Sequence, residues 1–265
     1  MGKHLTQEIK MEIKYSKRII AYVDILGWSH ATAKIAPPFL FDALKPIIER
    51  AEFNSQAHRD ALIEELGDRV NPLMLEVQFG FFSDSLVMSI PVEFKGRIYD
   101  TISHLMVKLL QNGFSVRGGI SSGDLYHLDQ IIFGPALLDA HSIESNKAVY
   151  SRVLVDDEVL KITGTHENMG VMMDHLGDWV VDPFGWIAKP NDPNEMRNML
   201  VQFFDPEKII DVIRYKINSF KDNQRILEKW KYQAKLCSSA LLKYGESTAD
   251  WVDILNNLAN GQALL

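Results

Sequence analysis

The chain has 265 residues, 46% of them apolar and 24% charged, so it can bury a sizeable core in one domain with an elaborated end. Its formal net charge of −7 argues against binding to duplex nucleic acid, which normally requires a basic surface. The single cysteine, Cys237, excludes an internal disulfide, and no run approaches about 18 consecutive apolar residues, so we expect a cytoplasmic protein that does not bind or span a membrane.

The predicted elements alternate between strands and helices. In chain order the sequence predicts strand 18–24, a helix from Pro38 that Pro46 kinks or splits, helix 57–66, strands 73–81 and 85–92, helix 97–111, a strand, turn and strand over 114–134, helix 134–147, and a strand from 152. Strand 18–24 is almost continuously apolar, which predicts burial on both faces. The order favours an α+β sandwich with one antiparallel or mixed sheet and helices on one face.

The character of the sequence changes near residue 163. A loop-rich stretch with one predicted strand pair follows, and residues 206–244 have helical patterns. No linker is visible. We therefore divide the chain into an N-terminal segment (1–17), a main domain (18–163) and a C-terminal extension packed on the same domain (164–265).

Two aspartates lie where apolar strands stop. Asp24 ends the first apolar run, and Asp84 lies between the next two. A buried, unpaired carboxylate is costly, so each is expected to meet a cation, a donor or water. If residues 18–24 pair with 73–81, both carboxylates fall on adjacent strands, an arrangement that can hold two Mg²⁺ ions for an in-line displacement. The alternatives are a helix cap for Asp24 and an ordinary turn residue for Asp84.

Other groups near the aspartates are candidates for substrate contact. Gly27 precedes a helix start, which leaves backbone N–H groups free to hold a phosphate. Arg117 stands beside two glycines and could reach a triphosphate, although an exposed hairpin arginine is the alternative. The candidate substrate-binding residues are Ile25, Leu26, Gly27, Trp28 and Ser83.

Four motifs in this order resemble those of class III nucleotidyl cyclases. They are VDILGW (23–28), FFSDSL (81–86), VRGGISSGDLYH (116–127) and FGPALLDAHSIES (133–145). The resemblance covers roughly residues 18–157 and implies a ferredoxin-like catalytic core that dimerises head to tail. It also implies that Asp24 and Asp84 are metal-binding aspartates. We expect them to hold two Mg²⁺ or Mn²⁺ ions per site together with the Ile25 carbonyl, and we predict Asp24, Asp84 and Arg117 as the catalytic residues, with Arg117 contacting phosphate.

The chain departs from the purine cyclases of this class at four positions. Gly80 stands where those enzymes carry a base-reading lysine, and Pro135 where they carry an aspartate or a related polar residue. Leu138 and Ser142 stand where an asparagine and an arginine usually serve the transition state. With the metal aspartates kept and the purine-reading groups missing, the resemblance implies a pyrimidine substrate.

The chain also resembles the pyrimidine cyclases of bacterial antiphage signalling, the Pycsar system, in these motifs, in its VVDPF segment and in its EKWKY helix. This implies that a homodimer, with sites at the subunit interface, converts UTP or CTP into 3′,5′-cyclic UMP or cyclic CMP and pyrophosphate. The product would activate a separate cyclic-nucleotide-binding effector. The choice between UTP and CTP stays open, as do two alternatives: a non-catalytic nucleotide-sensing or dimerisation module on this fold, and a palm-type nucleotidyltransferase, which the acidic charge disfavours.

Overall fold

The computed structural model describes residues 13–51, 56–67, 72–164, 170–185 and 192–262. Its strands are β1 Ser16–Leu26, β2 Gln78–Phe82, β3 Ser85–Pro91, β4 Ser115–Leu128, β5 Ile131–Phe133, β6 Val153–Val155, β7 Val171–Met173 and β8 Trp179–Val181. Its α-helices are α1 Trp28–Lys34, α2 Pro37–Ala51, α3 Gln56–Leu66, α4 Arg97–Gln111, α5 Pro135–Asn146, α6 Asp157–Thr163, α7 Pro193–Phe204, α8 Pro206–Ser219, α9 Gln224–Leu242 and α10 Ala249–Ala259. Most of the predicted N-terminal segment (1–12), and residues 165–169 and 186–191 of the predicted loop-rich stretch, lie outside the described residues.

Strand β1 lies at the centre of an antiparallel four-stranded core. It pairs with β3 on one side and with β4 on the other, and β2 pairs with β3 at the edge. The order β2-β3-β1-β4, with helices between β1 and β2 and between β3 and β4, is that of a ferredoxin-like fold. The predicted α+β class and ferredoxin-like core are therefore confirmed. Beyond β4 the sheet continues through β6, β8 and β7, and the β4–β6 pair is parallel.

Helices cover both faces of this core, so the prediction of helices on one face is wrong. The side chains of Val23 and Ile25 face α4 in the main hydrophobic cluster. Ile20, on the other face of β1, packs against Ala136 and Ala140 of α5. Strand β1 carries buried apolar side chains on both faces, so another element must pack on each face. Burying one large aliphatic side chain stabilises the folded state by roughly 1.5–3 kcal/mol.

Two local predictions also change. Residues Pro72–Glu76 form a 3-10 helix, and β2 begins only at Gln78, because a proline is pre-organised for the first turn of a helix. Helix α2 runs through Pro46 without splitting. The missing N–H costs one hydrogen bond, but Ala43 and Ile47 of the same helix are buried in the core and hold it in place.

The C-terminal helices form a second hydrophobic cluster that α9 connects to the first. Trp230, Ala234 and Cys237 of α9 lie in the second cluster, whereas Tyr232 and Leu236 lie in the main core with the strands of the sheet. Helix α9 is therefore shared between the two clusters. Of the helices in the described part of the chain, none has the length and apolarity needed to cross a membrane.

A buried polar network fixes α9 against the sheet. The Tyr232 hydroxyl donates to Asp174 Oδ2 at 2.5 Å, and Arg152 Nη1 lies 2.5 Å from the same oxygen. The Tyr232 ring also stacks on Tyr150, with ring centroids 4.8 Å apart. Arg152 precedes β6 and Asp174 follows β7, so one network joins two strands and the C-terminal helix.

We expect Tyr232→Phe to lower the free energy of unfolding by about 1–3 kcal/mol, because Asp174 loses a donor in a buried network. Chemical denaturation measures the change. The matched control is Tyr215→Phe, because Tyr215 is 68% exposed on the neighbouring helix α8. A Tyr232→Phe effect no larger than that of the control would show that the hydroxyl does not stabilise the fold.

Candidate active site

The hairpin between β2 and β3 brings Asp84 to the same end of the sheet as Asp24. Asp24 pairs across the sheet with Ser85, the residue after Asp84. The backbone N–H of Ile25 donates to the carbonyl oxygen of Asp84 at 2.8 Å, which holds the turn against β1. The pairing of 18–24 with 73–81, on which the sequence analysis makes the convergence conditional, does not occur. The strand beside β1 is β3, yet the two aspartates still converge because Asp84 occupies the turn that leads into β3.

Arg117 lies directly opposite Asp24 on the neighbouring strand β4. Its Nε donates to Asp24 Oδ2 at 3.0 Å, and the same nitrogen lies 2.6 Å from Glu144 Oε1. Nε carries one hydrogen, which is directed at Asp24, so Glu144 Oε1 receives charge attraction without a hydrogen bond. The terminal nitrogens of the guanidinium make no hydrogen bond to any residue in the described ranges.

Glu144 of α5 is a site residue that the sequence does not single out from the other polar residues of this helix, of which one or two are expected to face the site. Its side chain is only 5% exposed, although it is a carboxylate. The signal was present in the sequence: Ala136, Ala140 and Glu144 recur every four residues on the face of α5 that packs on the sheet. A carboxylate on the buried stripe of an otherwise apolar helix face indicates a specific partner, here Arg117.

The carboxylates of this site are held in an environment that disfavours their charge. Burial raises the pKa of Asp24; Arg117 opposes this shift, and the negative charge of Asp84 adds to it. Burial likewise raises the pKa of Glu144, again opposed by Arg117 and increased by Asp24. Arg117 therefore offsets two carboxylates, Asp24 and Glu144, while the negative charge of Asp84 acts on both, so a further positive charge would stabilise this cluster.

The donor set fits a hard divalent cation. Asp24 and Asp84 offer carboxylate oxygens, and oxygen is the ligand type that Mg²⁺ and Mn²⁺ prefer. No group of three or more His, Cys, Asp or Glu side chains within the described ranges is arranged to hold a metal. A cation at this point would therefore rest on the two aspartates and on backbone oxygen such as the Ile25 carbonyl, the set that the sequence predicted.

The predicted substrate contacts differ in what they offer a ligand. Gly27 is exposed and has a φ of 82°, a left-handed conformation that glycine adopts readily, and it directly precedes α1. Trp28 is buried, its ring 5.5 Å from that of Phe114, so only its backbone is available. The Ile25 side chain is buried, Leu26 is half-buried, and Ser83 is exposed in the hairpin turn.

The four positions that depart from purine cyclases lie on β2 and α5. Gly80 is half-buried on β2, where an added Cβ would lie 3.8 Å from His127 Nε2. Pro135 is the first residue of α5. Leu138 and Ser142 lie on the exposed side of α5, one turn apart, and Ser142 Oγ accepts a hydrogen bond from Asn146.

No protein-family model matches this chain, and no curated protein matches it. Among solved structures, it is similar to a bacterial light-regulated adenylyl cyclase with 15% identity and a TM-score of 0.44, over 74% of this chain and 59% of the other. A second structure of such an enzyme gives 15% identity, a TM-score of 0.42, and coverage of 76% and 58%. This chain therefore spans less than two thirds of those two chains.

A further similar structure is the guanylyl cyclase domain of the RhoGC fusion protein from the aquatic fungus Blastocladiella emersonii. It is 12% identical with a TM-score of 0.38, and the match covers 64% of this chain and 96% of that domain. These structural neighbours are nucleotidyl cyclases.

We expect Asp24→Asn to stabilise the protein more at neutral pH than at low pH. A carboxyl whose folded-state pKa is raised contributes stability below its unfolded pKa, near 4, and that contribution is lost as the pH rises through the folded value. The gain of the asparagine variant over the wild type should therefore grow as the pH rises from about 3 to 7.

Thermal unfolding across this pH range measures the difference. Asp253→Asn, which changes an exposed carboxyl on α10, is the control and should show a smaller pH-dependent gain. An Asp24→Asn gain that is constant with pH, or that shrinks as the pH rises, would contradict the assignment of a raised pKa.

Proposed function

We propose that this protein is a pyrimidine nucleotide cyclase that converts UTP or CTP into 3′,5′-cyclic UMP or cyclic CMP and pyrophosphate. The observation that carries the proposal is the convergence of Asp24 and Asp84 at one end of the sheet, with Arg117 beside them. Two carboxylates, and an arginine whose terminal nitrogens bond to none of the described residues, suit a reaction in which a triphosphate is positioned and its charge is stabilised.

In this proposal Asp24 and Asp84, with the Ile25 carbonyl, hold Mg²⁺ or Mn²⁺. Such ions lower the pKa of a ribose 3′-hydroxyl and offset the charge of the triphosphate. The terminal nitrogens of Arg117 contact phosphate oxygens, since only its Nε is engaged with Asp24. The 3′-oxygen bonds to the α-phosphorus in line with the leaving group, the bond to pyrophosphate breaks, and the hydroxyl proton passes to solvent.

The pyrimidine assignment and the biological role rest on the resemblance of the motifs. Gly80 and Pro135 lack the groups that read a purine in related cyclases. The proposed role is the production of a cyclic pyrimidine nucleotide in the bacterial cytoplasm after phage infection. A separate cyclic-nucleotide-binding effector would receive that messenger.

We also propose that the active form is a homodimer with sites at the subunit interface. Two large apolar side chains support this assembly, because Phe82 is 84% exposed and Leu138 is 69% exposed. Phe82 pairs with Ser85, which pairs with Asp24, so it lies on the sheet face that carries the aspartate. Leu138 belongs to α5, which packs on that same face.

The main alternative is a non-catalytic nucleotide-sensing or dimerisation module. The exposed Leu138 and Ser142, at positions where related cyclases carry transition-state groups, favour this alternative. It predicts nucleotide binding without a cyclic product.

One assay separates these readings. The protein is incubated with each of the four ribonucleoside triphosphates and Mn²⁺, and the products are identified by mass spectrometry. We expect cyclic UMP or cyclic CMP from the wild type. Asp24→Ala and Asp84→Ala should lower the rate by roughly a hundredfold or more, the scale for removing a group that stabilises transition-state charge. Asp253→Ala, which changes an exposed carboxyl of α10 outside the cluster of Asp24, Asp84 and Glu144, should retain activity. Full activity of either site variant with every triphosphate would refute the metal assignment.

We expect the wild type to be a dimer in solution, and Phe82→Ser combined with Leu138→Ser to weaken it, because polar side chains remove apolar area from the proposed interface. Light scattering over a concentration series measures the dimer dissociation constant. The control pair is Phe39→Ser with Ile63→Ser, because both side chains are also exposed, Phe39 on α2 and Ile63 on α3. Equal effects of the two pairs would place the interface elsewhere.

A further inference from the structure

The C-terminal extension places one cation, Lys229, near the candidate active site. Arg225 and Lys229 lie one turn apart on α9, on the same side as Tyr232 and Leu236, which follow at helical spacing. Tyr232 and Leu236 are packed in the main core. The side of α9 that packs on the core through Tyr232 and Leu236 therefore carries two positive charges, Arg225 and Lys229, nearer the start of the helix.

The contacts that hold α9 on the core lie near the end of the sheet that carries Asp24. Tyr232 stacks on Tyr150, which lies a few residues beyond Glu144 and the end of α5. Lys229 is close enough to Asp24 and Arg117 for its charge to act on both groups. The cluster around Asp24 thus contains three acids, Asp24, Asp84 and Glu144, and a second cation contributed by a different part of the chain.

Lys229 is half-buried, and its ammonium makes no hydrogen bond or ion pair with any of the described residues. Burial lowers its pKa; Arg117 and Arg225 act in the same direction, and Asp24 opposes them. Removing an ammonium from water without a partner is unfavourable, and an anion that reaches it would recover that free energy. Lys231, two positions along the same helix, differs because its Nζ lies 3.3 Å from Glu228 Oε1.

We propose that Lys229, assisted by Arg225, binds the polyphosphate of the substrate at the Asp24 site of its own subunit. The inference rests on the proposed cyclase function, since it assumes that a nucleoside triphosphate occupies this site. Arg117 and Lys229 then contact the phosphates from two sides, β4 and α9. The C-terminal extension is in this way part of the active site, and the network of Arg152, Asp174 and Tyr232 positions it.

The test compares Lys229→Met, Lys229→Arg and Lys231→Met with the wild type. Methionine keeps most of the length of the side chain and removes the charge, and Lys231→Met removes the same charge from another side of the same helix. Calorimetry measures the binding of three probes in the presence of Mn²⁺: inorganic tripolyphosphate, 3′-deoxyuridine triphosphate and uridine. The two triphosphate-bearing probes lack a 3′-hydroxyl, so neither can be cyclised.

We expect Lys229→Met to weaken the binding of tripolyphosphate and of 3′-deoxyuridine triphosphate about tenfold or more, which is the scale of a lost hydrogen bond between charged groups. The binding of uridine should not change. Lys229→Arg should bind both polyphosphate probes more tightly than Lys229→Met does. The dissociation constants of Lys231→Met for these probes should be within about twofold of the wild-type values. Thermal unfolding should show that Lys229→Met is folded, because an unpaired, desolvated charge has been removed.

The outcomes separate this inference from the proposed function. If the wild type cyclises a triphosphate and Lys229→Met binds both polyphosphate probes as the wild type does, Lys229 is not a phosphate ligand and the cyclase proposal stands. If the wild type cyclises none of the four triphosphates and Lys229→Met still loses tripolyphosphate binding, the cyclase proposal fails and the phosphate site stands. A wild type that binds no tripolyphosphate, or an equal loss in Lys231→Met, overturns the inference.

Discussion

The contact between Arg117 and two carboxylates, one half-buried and one buried, is the interaction on which the site depends. Asp24 lies on the central strand of the sheet and Glu144 on the helix that covers one face, and burial raises the pKa of both carboxyls. Arg117, on the strand next to Asp24, compensates both in part. One guanidinium therefore joins β1, β4 and α5, and it fixes the position of the acid that the proposed chemistry uses.

A second polar network makes the C-terminal helices part of the same structure. Asp174 accepts hydrogen bonds from the Tyr232 hydroxyl and from the Arg152 guanidinium. The three residues come from three separate stretches of the chain. Such a network is favourable only if its members are satisfied together, which requires α9 to stay seated on the sheet. Because α9 is held on the sheet in this way, Lys229 lies close enough to Asp24 for its charge to act on that carboxyl.

Local patterns predicted the elements that carry strong periodicity. Helix α4 was expected at 97–111 and is found at Arg97–Gln111, since its apolar spacing and its Asn-Gly ending agree. The stretch from 73 was expected to be extended and instead begins as a 3-10 helix at Pro72, because apolar residues in a short run do not distinguish a strand from a helical turn. The covering of both sheet faces was missed, although the unbroken apolar run of β1 already required it.

The sequence by itself determined the types of the elements and the two aspartates at the ends of apolar runs, because hydrophobic periodicity and turn residues are local properties. The tertiary structure alone decided which strands are neighbours, that Arg117 faces Asp24, and that Glu144 and Lys229 join them. These contacts join residues from about 30 to about 200 positions apart, and they depend on sheet register and on where a helix distant in sequence packs. A local pattern carries no information on either, so the electrostatic character of the site emerges only when the whole chain is folded.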